Sequence, residues 1–335
     1  MEEPLPLARG STGEAVRDLQ ARLTAAGFAA GNDPPGAFAD ATDAAVRSFQ
    51  DSRGLHVDGV CGRQTWSALV EAGYRLGDRL LYHRTPMLRG DDVSELQQAL
   101  GALGFDAGRV DGFFGPNTAN ALKDFQQNVG VTCDGICGPD TLGSLRRLGG
   151  SGGRSAHGHP DQVPTEAQVR EGERLRGAPR LLAGRRLVVG ESGELGALAD
   201  ALGRRLQDAG AIVAVVHHPD GSTQAAEANG FGAEAFIGMG VLAEPGCAVS
   251  YYATRGFESI GGHRLAELAL AEVKGIVDPD PVQPKSMRLP ILRETRMPAI
   301  LCEIGPPPVA VARGRELAEA LAAAVTAWVE EPVGG

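Results

Sequence analysis

Apolar residues recur at helical spacing through the first half of the chain. Strands and helices alternate through the second, and a Gly- and Ser-rich stretch separates the two. Val16, Leu19 and Leu23 stand three and four residues apart, which lines one face of a helix. That run stops at Gly27-Phe28, a glycine where a helix end favours one. A second helix is predicted after Thr42, with Val46 and Phe49 on one face and an end near Gly54. Asp58-Gly59 marks a turn, and Thr65 opens a third helix carrying Leu69. The whole series then returns as Val93, Leu96 and Leu100, Gly104-Phe105, Thr118, Leu122 and Phe125, Gly130, Asp134-Gly135, Thr141 and Leu145. Such self-similarity predicts two copies of one all-α three-helix domain, over 1–76 and 77–148.

The segment from Gly149 to Pro160 reads by composition as a flexible linker, assigned to 149–163, and a polar helix from about Pro164 to Arg176 follows. Beyond Arg185, strands are predicted at Leu187–Val189, Ala211–Val216, Ala235–Gly238, Ala248–Ala253 and Ala299–Cys302. Helices are predicted at Leu195–Leu206, Ala225–Gly232, Ser259–Val273 and Gly314–Trp328. This alternation predicts a single α/β domain with a mostly parallel sheet over 164–335. The fold class expected is therefore multidomain: two small helical domains, then an α/β domain.

Charge narrows the functions open to such a chain. The 335 residues carry a net charge of −10 with no basic block to offset it, so the attraction to phosphate that drives nucleic-acid binding is missing. Apolar runs fall well short of the roughly 20 residues that span a bilayer, so no transmembrane segment is expected. The start, Met1-Glu2-Glu3-Pro4-Leu5-Pro6, is acidic and lacks the apolar stretch of a secretory signal, which places the protein in the cytoplasm. Cys61, Cys133, Cys137, Cys247 and Cys302 are odd in number, and the spacing of 133 and 137 does not make a redox or zinc pair. Reduced, structural thiols are expected.

In both copies the motifs Val-x-x-Leu-Gln-x-x-Leu, Gly-Phe, Phe-Gln and Asp-Gly-x-x-Gly-x-x-Thr resemble the three-helix peptidoglycan-binding module. The copies differ before the middle helix: the second has Phe-Phe-Gly-Pro-Asn-Thr ending at Thr118, the first Ala-Phe-Ala-Asp-Ala-Thr ending at Thr42. The resemblance implies a bundle whose groove holds cell-wall glycopeptide. Gln50 and Gln126, the polar members of the motif, are expected nearest that groove as ligand-binding residues.

The second half resembles the zinc-dependent N-acetylmuramoyl-L-alanine amidases. The resemblance lies in Ala228-Asn229, Ala233–Gly238, Gly246–Tyr252, Ser259 with Leu265-Ala266, and Met297–Gly305. It implies a zinc ion on two His and a Glu, with a second Glu as general acid/base. Here Val188-Val189 runs straight into Gly190-Glu191-Ser192-Gly193, so the loop bearing the first His is absent, and Gly240 stands in place of the second. Glu191 falls near the position of the zinc Glu and Glu303 matches the catalytic one, which implies a vestigial metal ligand and a vestigial acid/base. His217 and His218, at the carboxyl end of a predicted strand, are the imidazoles left to complete a metal set.

No bound cofactor is expected from this set. Taken whole, the chain resembles the cytoplasmic, non-catalytic regulators of cell-wall synthesis found in actinobacteria. That implies peptidoglycan or its precursors and proteins of the synthesis pathway as partners. Thr295 and Thr326 are candidate phosphorylation sites. Zinc-dependent hydrolysis of the muramoyl-L-alanine amide bond is the alternative.

Overall fold

Six helices build the first half in the predicted order: α1 (Glu14–Ala25), α2 (Asp40–Ser52) and α3 (Arg63–Ala72), then α4 (Asp91–Ala102), α5 (Pro116–Val129) and α6 (Pro139–Gly149). Each trio closes on its own core. Val16, Leu19, Leu23, Val46, Phe49 and Leu69 fill the first, and Val93, Leu96, Leu100, Leu122, Phe125 and Leu145 the second. Phe28 meets Phe49 edge-on at 5.6 Å, and Phe105 meets Phe125 at 5.5 Å, so the repeat extends to ring geometry. A short ribbon of β1 (Leu81–Tyr82) and β2 (Ile136–Cys137) ties the start of the second module to its end. This computed structural model describes residues 6–149, 166–254, 257–277 and 282–333, and it forms two compact units that part near Ala167. The predicted linker, apart from Gly149 at the end of α6, lies outside the described residues.

A buried glutamine fixes each turn between helices. Gln50 on α2 donates from Nε2 to Asp58 Oδ1 (2.7 Å), the Val60 carbonyl (3.0 Å) and Thr65 Oγ1 (3.1 Å), and its Oε1 accepts the Gly59 amide (2.9 Å). Gln126 on α5 repeats this with Asp134 (2.9 Å), Ile136 (3.0 Å), Thr141 (3.0 Å) and the Gly135 amide (2.8 Å). Gln20 on α1 reaches the Ala37 carbonyl and Thr42 Oγ1 and accepts from Gly36, while Gln97 on α4 does the same with Phe113, Thr118 and Gly112. At the hub of each clamp sits a left-handed backbone: Gly59 at φ +75° and Gly135 at φ +74° adopt a region that side-chain-bearing residues rarely occupy. The expectation for Gln50 and Gln126 is therefore corrected. Both are 1% exposed and bonded inward, because an amide with this many partners packs best at the centre of the bundle and not beside a groove.

The second unit begins with α7 (Glu166–Gly177). It continues through β3 (Arg186–Glu191), α8 (Gly196–Asp208), β4 (Ile212–His217), α9 (Gly221–Phe231), β5 (Ala235–Val241), β6 (Gly246–Thr254), β7 (Phe257–Glu258) and α10 (Ile260–Val273). It ends with β8 (Lys285–Met287), α11 (Pro290–Arg293), β9 (Ala299–Gly305), α12 (Pro307–Ala312) and α13 (Gly314–Glu330). The sheet runs β4-β3-β5-β9-β6-β7 with β8 beside β6. All pairs whose register is resolved are parallel except β6 with β9. Near-continuous apolar strands suit a sheet covered on both faces. On one face, Val189, Ile237, Met239 and Cys302 pack against Leu198, Leu202, Leu265, Leu321 and the fully buried Trp328 from α8, α10 and α13. Trp328 donates its indole N–H to the Gly261 carbonyl at 2.9 Å, satisfying the polar end of its ring. Strands β7 and β8 and helices α11 and α12 are too short for periodicity to reveal.

Replacing Gln126 with Leu orphans the buried Gly135 amide, worth about 1–3 kcal/mol, and takes a donor from Asp134, the Ile136 carbonyl and Thr141. A loss of about 2–4 kcal/mol in the second module is expected. Urea unfolding followed by circular dichroism measures it, with the exposed Val57→Ser as a control expected to stay within about 0.5 kcal/mol.

Candidate functional site

Ligands of parallel α/β sheets gather at the carboxyl ends of the strands, and there the structure places Glu191, His217, Gly240 and Glu303. Register aligns Glu191 of β3 with His217 of β4 and with Met239 of β5, and it aligns Gly240 with Glu303 of β9. Successive residues of a strand point to opposite faces. Glu191 thus shares the face of Val189, Met239 and Cys302, which α8 covers, whereas Glu303 and Gly240 share the other. The sheet itself separates the two carboxylates.

Glu191 is buried and fully engaged. Its Oε2 accepts the backbone amides of Gly193 (2.6 Å) and Leu195 (3.2 Å), fixing the turn into α8, and its Oε1 lies 2.7 Å from His217 Nδ1. The other ring nitrogen of His217, Nε2, lies 3.3 Å from Asp200 Oδ1 on α8, so the half-exposed imidazole stands between two carboxylates. Burial works to raise the Glu191 pKa, but the hydrogen bonds from His217, Gly193 and Leu195 outweigh it and hold the group below the usual carboxylate range. The hydrogen bond to Glu191 lifts His217 above the ordinary imidazole value against the opposing effect of burial, and the charges of Glu191 and Asp200 add to the rise. Both ring nitrogens of His217 are thus occupied, and its contacts favour the protonated form.

On the opposite face, Glu303 is buried, and a Cβ added at Gly240 would stand 3.4 Å from its Cγ. Gln224 of α9 is a residue the sequence reading did not single out. It is buried, and its Nε2 donates to the carbonyls of Glu191 (3.1 Å) and His218 (2.6 Å), bracing the ends of β3 and β4. Gly190 admits it: a Cβ there would fall 2.2 Å from Gln224 Oε1. A strand glycine and a helix amide separated by a whole helix and strand carry no periodic signature, so no sequence signal marks this contact. Thr295 is buried, its hydroxyl donating to the Leu292 carbonyl, and the Thr326 hydroxyl donates to Ala322 within α13.

A hydrolytic zinc ion needs three protein ligands, at least some of them neutral imidazoles, and an open position for water. The described residues at these strand ends do not fit it. Glu191 has its oxygens on two amides and an imidazole, Glu303 faces away from it, and Gly240 supplies no donor. His218 Nδ1 accepts the Asp220 amide at 3.0 Å, and His263 stacks on Tyr251 at 4.7 Å. Among the described residues, no three of His, Cys, Asp and Glu stand together as a metal set. All five cysteines are free thiols, and burial pushes Cys61 and Cys247 up to about 12 and Cys137 up to about 11, so these three are not nucleophiles.

Residues 12–69 and 89–145 match a family model described as a putative peptidoglycan binding domain. Over most of its length the chain is similar to N-acetylmuramoyl-L-alanine amidase CwlM of Mycobacterium tuberculosis, 34% identical and covering 88% of this chain and 80% of that protein. N-acetylmuramoyl-L-alanine amidase CwlL of Bacillus licheniformis is 37% identical across 42% of this chain and 45% of that protein. A solved N-acetylmuramoyl-L-alanine amidase from Clostridium difficile 630 is 18% identical, with a TM-score of 0.38, and covers 44% of this chain and 99% of that one.

The contact between Glu191 and His217 should give stability its own pH window. A raised His217 pKa contributes fully below the unfolded value near 6.5 and fades as pH rises through the folded value. A lowered Glu191 pKa contributes above the unfolded value near 4.3 and fades as pH falls through the folded value. His217→Asn is expected to destabilise more at about pH 5.5 than at about pH 8.5, as read by guanidinium titrations at the two pH values.

Proposed function

We propose that this chain, which belongs to the N-acetylmuramoyl-L-alanine amidase family and carries two peptidoglycan-binding domains, is a non-catalytic regulator or scaffold of peptidoglycan synthesis. The observation that carries the proposal is the placement of the two carboxylates on opposite faces of the sheet, with Glu191 committed to the turn into α8 and to His217. Hydrolysing an unactivated amide at neutral pH calls for a water whose pKa a zinc ion has lowered to about 7. One carboxylate alone does not hold such an ion, and among the described residues no three of His, Cys, Asp and Glu are grouped to do so. Glu303, buried beside Gly240, then has no activated water to exchange protons with.

Binding falls to the helical modules. In this reading they engage peptidoglycan or its precursors, and the second unit offers its surface to proteins of the synthesis pathway. Among the described residues no helix is long and apolar enough to cross a membrane. Neither zinc nor any other cofactor takes part in the role proposed here.

Two measurements on the purified full-length chain test the proposal. Elemental mass spectrometry is expected to find zinc far below one equivalent, and incubation with muramoyl-peptide substrate is expected to release no peptide. About one zinc per chain together with peptide release would establish the amidase reading in its place. Glu303→Gln is expected to leave co-sedimentation with peptidoglycan unchanged.

A further inference from the structure

The strongest unexplained feature lies between the two modules. Arg53, at the end of α2, reaches across to Asp91 at the start of α4 (2.6 Å), with its guanidinium 5.4 Å from the Phe49 ring. Arg89, just before α4, reaches Glu71 of α3 at 3.4 Å. The connecting segment is held as firmly. Arg79 grips Asp92 through Nε (2.7 Å) and Nη2 (3.1 Å), donates to the Arg89 carbonyl (2.7 Å) and stacks on Tyr74 at 3.8 Å. Asp92 is fully buried, so this pair is no solvated surface contact of the kind that contributes little. The Leu76 amide donates to Glu95 (3.1 Å), and a Cβ on Gly77 would strike Leu142 of α6 at 2.8 Å.

Equivalent positions in the two repeats confirm that the junction is built. Gly13 and Gly90 occupy the same place before α1 and α4. A Cβ at Gly13 would meet nothing, whereas one at Gly90 would fall 2.4 Å from Asp92 and 3.0 Å from Arg79. The second module has given up that space to the joint.

We propose that the two modules are one rigid reader, which engages two glycopeptide units of a polymeric ligand at once and selects it by their spacing. The inference rests on the reading of the modules as glycopeptide binders. A fixed joint turns the second binding event into an intramolecular one without a new contact, a gain of about 10²–10⁴ in avidity when geometry matches. Soluble single-unit fragments would gain nothing from it.

The test uses the full chain with spin labels on Cys133, the exposed native thiol, and on an introduced Val57→Cys. The distance distribution is expected to be narrow. A Gly-Ser insertion of about 12 residues after Arg75 should broaden it and weaken binding to insoluble peptidoglycan at least about 10-fold, leaving affinity for a soluble monomeric glycopeptide unchanged. Arg53→Glu should weaken polymer binding in the same direction, and Arg53→Glu combined with Asp91→Arg should restore it. A broad distribution in the parent chain, or polymer binding untouched by the insertion, would overturn the inference. Failure of every form to bind polymer or monomer would overturn the glycopeptide reading and the bivalency with it, and a narrow distance would then leave only the rigid joint standing.

Discussion

The first unit depends on one kind of interaction: a buried side-chain amide that satisfies a turn's backbone from the inside. Domains of this size bury little apolar surface per residue, and a single core rarely holds them with much to spare. Gln20, Gln50, Gln97 and Gln126 answer this by converting loops into fixed geometry. Each draws a carbonyl, a glycine amide and a helix-opening threonine to one point. Each glycine then has its left-handed φ enforced, and each threonine has its place in the first turn. The aromatic pairs at 5.6 and 5.5 Å sit where the clamps have already set the helices.

The same rule governs the second unit with an opposite consequence for chemistry. A carboxylate buried at a strand end has to find hydrogen bonds. Glu191 finds them in two amides of the following turn and in His217. An acid engaged in this way is a prop for α8, and the contact raises the pKa of its neighbour imidazole. In an open metal site the same two residue types would be neutral donor and free oxygen. The distinction lies wholly in what surrounds them.

Much of this was legible in the residues. The repeat, the six module helices and the main strands follow from spacing, because each element buries one continuous stripe or face. Glu303 and Gly240 were each singled out by resemblance, but that they lie side by side comes only from the β5–β9 register. The role of Gln50 and Gln126 was misjudged although a signal existed: Leu19-Gln20, Phe49-Gln50, Leu96-Gln97 and Phe125-Gln126 each place the amide directly after a core residue, ahead of a glycine turn. Periodicity ranks residues by apolarity and so sends an amide to the surface. The contact of Glu191 with His217 could not be read at all. It depends on β4 lying beside β3, and the split between Glu191 and Glu303 depends on register, both of which only the sheet decides.

The clamp occurs twice in each module, with α2 and α5 each receiving one and supplying the next. A module is therefore an open series of identical joints, each helix serving as socket for the one before and plug for the one after. Among the described residues no glutamine clamp of this kind issues from α3 or α6, and each series ends there. Each module's length is thus written into its joints as well as into its core.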